Sequence, residues 1–141
     1  MKRFIIPLLI FFSQTTVFAQ NPADKIVGEW LNEEKTSKIE ISKTGNSYSG
    51  KIVWLAHPYG SDGKPLTDIK NPDPHKRTQS ILGLTIVTGL KYSSGEWTGG
   101  TIYAPKKGQY ADCSVTVSDS NKLKIKVSKG ILSKTIIWTK Q

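Results

Sequence analysis

The sequence predicts an all-β domain: an eight-stranded antiparallel up-and-down barrel with one long loop that carries a short helical turn. Three observations predict it. Eight short segments alternate apolar and polar residues, the period of a half-buried strand. No stretch carries the 3.6-residue period of an ordinary amphipathic helix. Most neighbouring segments are separated by tight-turn residues, and strands joined that way run antiparallel. Eight such strands close economically into a barrel whose interior just holds side chains or one small ligand. A flattened sandwich is the alternative architecture.

Residues 1–19 stand apart from this pattern. Lys2 and Arg3 precede an apolar run from Phe4 to Phe12, and Val17-Phe18-Ala19 ends in a small residue. This is the layout of a cleavable secretory signal, and its core is too short for a comfortable membrane span. Cleavage after Ala19 leaves one domain, residues 20–141, in the periplasm or outside the cell. All four Phe leave with the signal. The net charge falls from +9 to +7, because Lys2 and Arg3 go and no acid does. The core must then come from Ile, Val, Leu, Trp and Tyr, and buried Trp and Tyr need partners for their polar atoms.

The strands follow in order. Lys25 to Asn32 places Ile26, Gly28 and Trp30 on one face. Lys38 to Lys43 turns Ile39 and Ile41 inward, and Thr44-Gly45-Asn46 is a hairpin turn. Tyr48 to Leu55 places Tyr48, Gly50, Ile52 and Trp54 on one face. From Ala56 to Ser80 the period disappears, and four of the seven Pro fall here. A connection this long in a small domain is commonly a lid or binding loop. A helical turn is expected from Pro74 to Ile81, capped by Asp73. Alternation returns at Leu84 to Lys91, with Ile86, Thr88 and Leu90 opposite Val87, Gly89 and Lys91.

The next strand starts at Trp97. Gly99-Gly100 interrupts its alternation, and a bulge there brings Trp97 and Ile102 to one face. Pro105 and Gly108 shape the following turn. Gln109 to Ser118 turns Ala111, Cys113, Val115 and Val117 inward. Lys122 to Ser128 sets Leu123, Ile125 and Val127 against three lysines, most simply a wet strand face. Lys134 to Lys140 closes the barrel, with Ile136 and Trp138 on one face.

Two resemblances rest on these residues. Gly28-Glu29-Trp30 resembles the G-x-W opening of lipocalin-like barrels, in which the Trp plugs the closed end. Lys140 stands where such barrels often lay a basic residue across that Trp. Asn71-Pro72-Asp73, Arg77, Gly83-Leu84, Trp97 with Gly100, Ile102-Tyr103-x-Pro105 with Gly108, Tyr110 and Trp138 resemble the bacterial exported family called domain of unknown function 2147. The resemblance spans about Gly28 to Lys140 and implies a calycin-like barrel and export, with no established activity. Ala104 departs from it where the family usually carries an acid, and the turn before Tyr110 is one residue short.

Catalytic motifs are missing from the sequence. His57, Asp62, Asp68, Asp73 and His75 share the long loop without a metal-ligand spacing, and no G-x-S-x-G occurs. Cys113, the single cysteine, reads as a core residue. Neither enzyme activity, a cofactor nor a metal is expected. Nucleic acid is not an expected partner, because the chain is exported and lacks basic-aromatic interleaving. The expected function is binding of a small apolar or amphiphilic ligand in the cell envelope. Trp54, Trp97, Tyr103 and Tyr110 would line the site, and Asn71, Asp73 or Arg77 would hold a polar end. Structural roles fall to Gly28, Trp30, Gly99, Gly100, Pro105, Gly108 and Trp138. The alternative is an envelope structural or interaction protein. Its filled barrel would meet a protein or an anionic surface through the 57–80 loop or the basic surface.

Overall fold

The structure, a computed structural model, describes residues 10–17 and 21–141. The basic end of the leader and its expected cleavage point lie outside the described residues. Among the described residues no helix is long and apolar enough to cross a membrane.

Eight strands form one closed barrel in sequence order. They are β1 (Gly28–Leu31), β2 (Ser37–Thr44), β3 (Ser47–Leu55), β4 (Thr85–Ser93), β5 (Glu96–Ala104), β6 (Gln109–Asp119), β7 (Lys122–Lys129) and β8 (Leu132–Lys140). Every pairing is antiparallel, and β1 closes on β8 through Trp30 opposite Lys140 and Leu31 opposite Thr139. Up-and-down order sends alternate connections to opposite ends. The β1–β2, β5–β6 and β7–β8 turns and the long β3–β4 connection meet at one end, the mouth. Both chain ends of the barrel lie at the other.

That other end is plugged. Residues 25–27, expected in the first strand, are not strand. Pro22–Ile26 forms a 3-10 turn, with Pro22 in its first turn and the Asn21 side chain accepting from the Ala23 N–H. The turn supplies partners for three buried aromatics. Trp30 Nε1 donates to the Ile26 carbonyl at 2.8 Å, and Trp97 Nε1 to the Ala23 carbonyl at 2.9 Å. The Tyr48 hydroxyl donates to Asp24 at 2.7 Å. Burial and then that bond push the Tyr48 phenol up to about 12. Lys140 Nζ lies over the Trp30 ring at 4.7 Å and donates to the Val27 carbonyl. A Cβ on Gly28 would meet that ammonium.

The lumen is solid across its middle. Trp30, Ile39, Ile41, Tyr48, Leu90, Trp97, Val115, Leu123, Ile125 and Trp138 are all buried. A methyl on Gly50 would stand 3.0 Å from Ile39, and one on Gly100 2.5 Å from Leu90 and 3.0 Å from Cys113 Sγ. An interior that excludes a methyl at two glycines has no space there for a ligand chain.

Bulges decide which aromatics enter it. The β5 register shifts between Trp97 and Gly100, Gly99 has φ 72°, and both Trp97 and Ile102 are buried, as their spacing predicts. Two other irregularities depart from expectation. A shift in the β2–β3 register pairs Trp54 with Lys38 but Ile52 with Ile39. The extra residue, Val53, reverses the face of Trp54, which is 41% exposed beneath the Lys38 ammonium. In β4, Gly89 takes φ 74°, and Ile86, Val87 and Leu90 are buried while Thr88 is exposed, so burial does not alternate along the strand.

Candidate functional site

The long connection folds back on itself and docks at the mouth. Tyr59 bridges to Pro65 and Thr67 to Ser80, and Ile81 is buried beneath the second bridge. The helical turn is shorter than expected. It is a 3-10 turn over Pro74–Lys76, capped by Asp73, whose Oδ1 accepts from the His75 N–H at 3.0 Å. Beyond it the chain passes through further turns and bends, with a bridge at Ser80, before β4 begins at Thr85.

Two contacts fasten the loop to β5 and the β5–β6 turn. Lys70 Nζ donates to the Lys106 carbonyl at 2.8 Å. At Gly108, φ is 62° and a Cβ would fall 2.0 Å from the Lys70 carbonyl oxygen, so only glycine lets the two backbones touch. Beneath them lies a buried polar latch. The Tyr103 hydroxyl donates to Asp68 Oδ1 at 2.6 Å, and Asn71 Nδ2 to Asp68 Oδ2 at 2.7 Å. Asp68 and Asn71 are 1% and 2% exposed, which makes this the loop's anchor in the fold. Burial first, and then the bond to Asp68, hold the Tyr103 phenol far above its ordinary value. It therefore stays a donor at any physiological pH.

Asn71, Asp73 and Arg77 lie together and hydrogen-bond within the loop, and Arg77 bonds to the Asn71 backbone rather than to Asp73. Asn71 Oδ1 accepts from the Asp73 N–H at 2.9 Å, and Arg77 Nε donates to the Asn71 carbonyl at 2.7 Å. Asp73 is occupied as a cap. Of the three, Asn71 borders the neighbouring cleft.

That cleft, of about 500 Å³, lies between the loop and β4–β6. Tyr103 and Tyr110 form one wall, their rings 4.5 Å apart between centroids. Leu82, Leu84 and Thr85 continue it, and Lys76, Gln79, Ser80 and Asn71 give it a polar side. The two tyrosines pair across β5 and β6, next to the Ile102–Ala111 pair. Adjacent pairs point to opposite faces of a sheet. Ile102 belongs to the core with Gly100 and Cys113, so the tyrosines stand on the outer face and the cleft flanks the barrel's mouth.

Two expected lining residues lie elsewhere. Trp54 sits on the outer surface of β3, for the reason given above. Trp97 is buried at the plugged end with its indole N–H spent on Ala23. Six residues of strand separate it from Tyr103, roughly 20 Å at the usual rise. Asp68 was visible in the sequence only as one acid among several in the loop. Its partner Tyr103 is 35 residues away, and no local pattern links them.

Cys113 is inside the barrel, and burial followed by the nearby Asp112 pushes its thiol up to about 11. Among the described residues no three His, Cys, Asp or Glu side chains gather in a way that could hold a metal ion.

A closed eight-stranded antiparallel barrel with a G-x-W first strand, a plugged end and a cation over the plug Trp is a lipocalin-like fold. A solved structure supports this class at the level of fold: "Protein HP1028 from the human pathogen Helicobacter pylori belongs to the lipocalin family" has a TM-score of 0.71 and 21% identity over 82% of each chain. Residues 28–140 match the family described as "Uncharacterized protein conserved in bacteria (DUF2147)", and the chain belongs to that family. No curated protein matches the sequence.

Proposed function

We propose that the chain is an exported, non-catalytic barrel that binds a small amphiphile with an anionic head in the cleft at the barrel's mouth. The observation that carries this reading is the lining. Two tyrosine faces and two leucines offer apolar surface, and Lys76 is the single charged residue among the lining side chains. A volume near 500 Å³ is in the range of small-molecule sites. One ammonium with amide and hydroxyl donors around it suits a carboxylate, sulfate or phosphate.

Native mass spectrometry of the protein purified from the exported fraction tests it. Co-purified mass of an anionic amphiphile is expected, with retention reduced in Tyr110→Ala and Lys76→Glu. Retention unchanged in both variants removes the cleft from the account.

The solid lumen favours a second reading. A filled barrel can act as an envelope interaction protein that meets a partner through the 57–80 loop or the basic surface. A stable complex captured with an empty cleft would support that reading over the first.

A further inference from the structure

The β7–β8 hairpin ends in a tip that the barrel does not use. Ile131 and Leu132 are 102% and 74% exposed, the first as open to solvent as a side chain in an unfolded peptide. Lys129 precedes the pair and Lys134 follows it. The segment from Asn121 to Gln141 holds six lysines and no acid. Along β7, Lys122, Lys124 and Lys126 are exposed on the face opposite Leu123 and Ile125.

The neighbours do little to neutralise this charge. On the β1–β2 turn, Glu34 is already taken by Lys106 at 3.1 Å, and Glu33 stands beside it in sequence. On β6, Asp112 lies opposite Ser128, and Asp119 lies opposite Lys122 at the end of the hairpin away from the tip. Among the described residues, no lysine of the hairpin forms an ion pair.

We propose that this hairpin docks the protein on an anionic phospholipid surface, with Ile131 and Leu132 entering the acyl boundary and the flanking lysines meeting phosphate. Two aliphatic side chains at the apex of a narrow turn match a soft bilayer better than a flat protein surface, which needs a broader patch to bury. Lysine stems reach past an apolar tip and leave their ammonium groups at head-group level. The all-basic flanks complement a surface of negative potential. The tip also lies at the same end as the cleft. A shallow groove of about 190 Å³ runs from Tyr110 to Lys129 and Gly130 at its foot. Docking by the tip would bring the cleft's approach to the membrane, yet docking itself stands whether or not the cleft is occupied.

Vesicle flotation of the protein purified from the soluble exported fraction tests this. Vesicles of phosphatidylcholine alone are compared with equal parts phosphatidylcholine and phosphatidylglycerol. Flotation with the anionic vesicles only, reversed by raising the salt, is expected. The Ile131→Ser/Leu132→Ser variant should partition at least tenfold less with an unchanged Tm. Lys129→Gln/Lys134→Gln should lose the preference for anionic vesicles. No flotation, equal flotation with both vesicles, or flotation indifferent to the serine variant would overturn the proposal. So would a dimer in sedimentation equilibrium that the serine variant converts to monomer, since the tip would then be a contact between copies.

Discussion

Tyr103→Phe isolates the latch that makes the cleft. The substitution removes one hydroxyl and keeps the ring, so the stacking on Tyr110 and the apolar burial survive. What changes is Asp68. At 1% exposure it loses a 2.6 Å donor and keeps only the Asn71 amide as a side-chain partner. A hydrogen bond to a carboxylate contributes about 1.5–3 kcal/mol, so a loss of about 2 kcal/mol is expected. Because the latch joins a loop to the barrel, part of this cost should appear as local opening. Lys70, Lys76 and Arg77 place trypsin sites in the loop, whereas Lys64 is shielded by the Pro65 that follows it. When opening is fast compared with cleavage, the cleavage rate follows the open population. A 2 kcal/mol shift would then speed cutting in the loop roughly 30-fold. Limited trypsinolysis under native conditions, with cut sites read by mass spectrometry, measures this directly. A rise below about twofold, with the urea midpoint unchanged, would show that the Asp68–Tyr103 bond does not hold the loop.

Gly108→Ala should have a similar effect through a different cause, because its Cβ would overlap the Lys70 carbonyl at a φ of 62°. Loop cleavage should rise while the circular dichroism of the barrel stays the same. In the core, Gly100→Ala should cost about 1–3 kcal/mol in urea unfolding, from overpacking against Leu90; a neutral result would mean the lumen has room. Alkaline titration followed by tyrosinate absorbance should show two late phenols, Tyr48 near 12 and Tyr103 beyond it. Both folded values lie above the ordinary 10.0. Their contribution to stability is therefore complete below about pH 10 and is lost as pH rises through about 12. Tyr48→Phe should remove part of that alkaline loss. Cys113 should react with a thiol reagent only at the rate of global unfolding, and fast labelling of the folded protein would contradict its place inside the barrel.

The strands were legible where one face is wet and the other buried. Leu123 and Ile125 against Lys122, Lys124 and Lys126 leave no choice of register, because a slip of one residue would bury the lysines. Gly99-Gly100 announced its bulge, since glycine is cheap at positive φ. The Val53 bulge had no such signal, and parity therefore put Trp54 on the wrong side. The plug was hidden differently: Ile26, Gly28 and Trp30 alternate like a strand, although Ile26 belongs to the 3-10 turn. At the mouth, Asp73 and Pro74 marked their own turn by local chemistry. The Asp68–Tyr103 bond depends on where a loop lands on a distant strand, which no short pattern encodes.

A barrel with a solid lumen leaves the proposed ligand only the cleft at the mouth. Mapping backbone amide chemical shifts while titrating a long-chain carboxylate tests that directly. Shifts are expected at Asn71, Lys76, Gln79, Tyr103 and Tyr110, with Ile39, Gly50 and Cys113 unmoved. Shifts centred on Gly50, Gly100 and Cys113 would place the ligand in the lumen and contradict it.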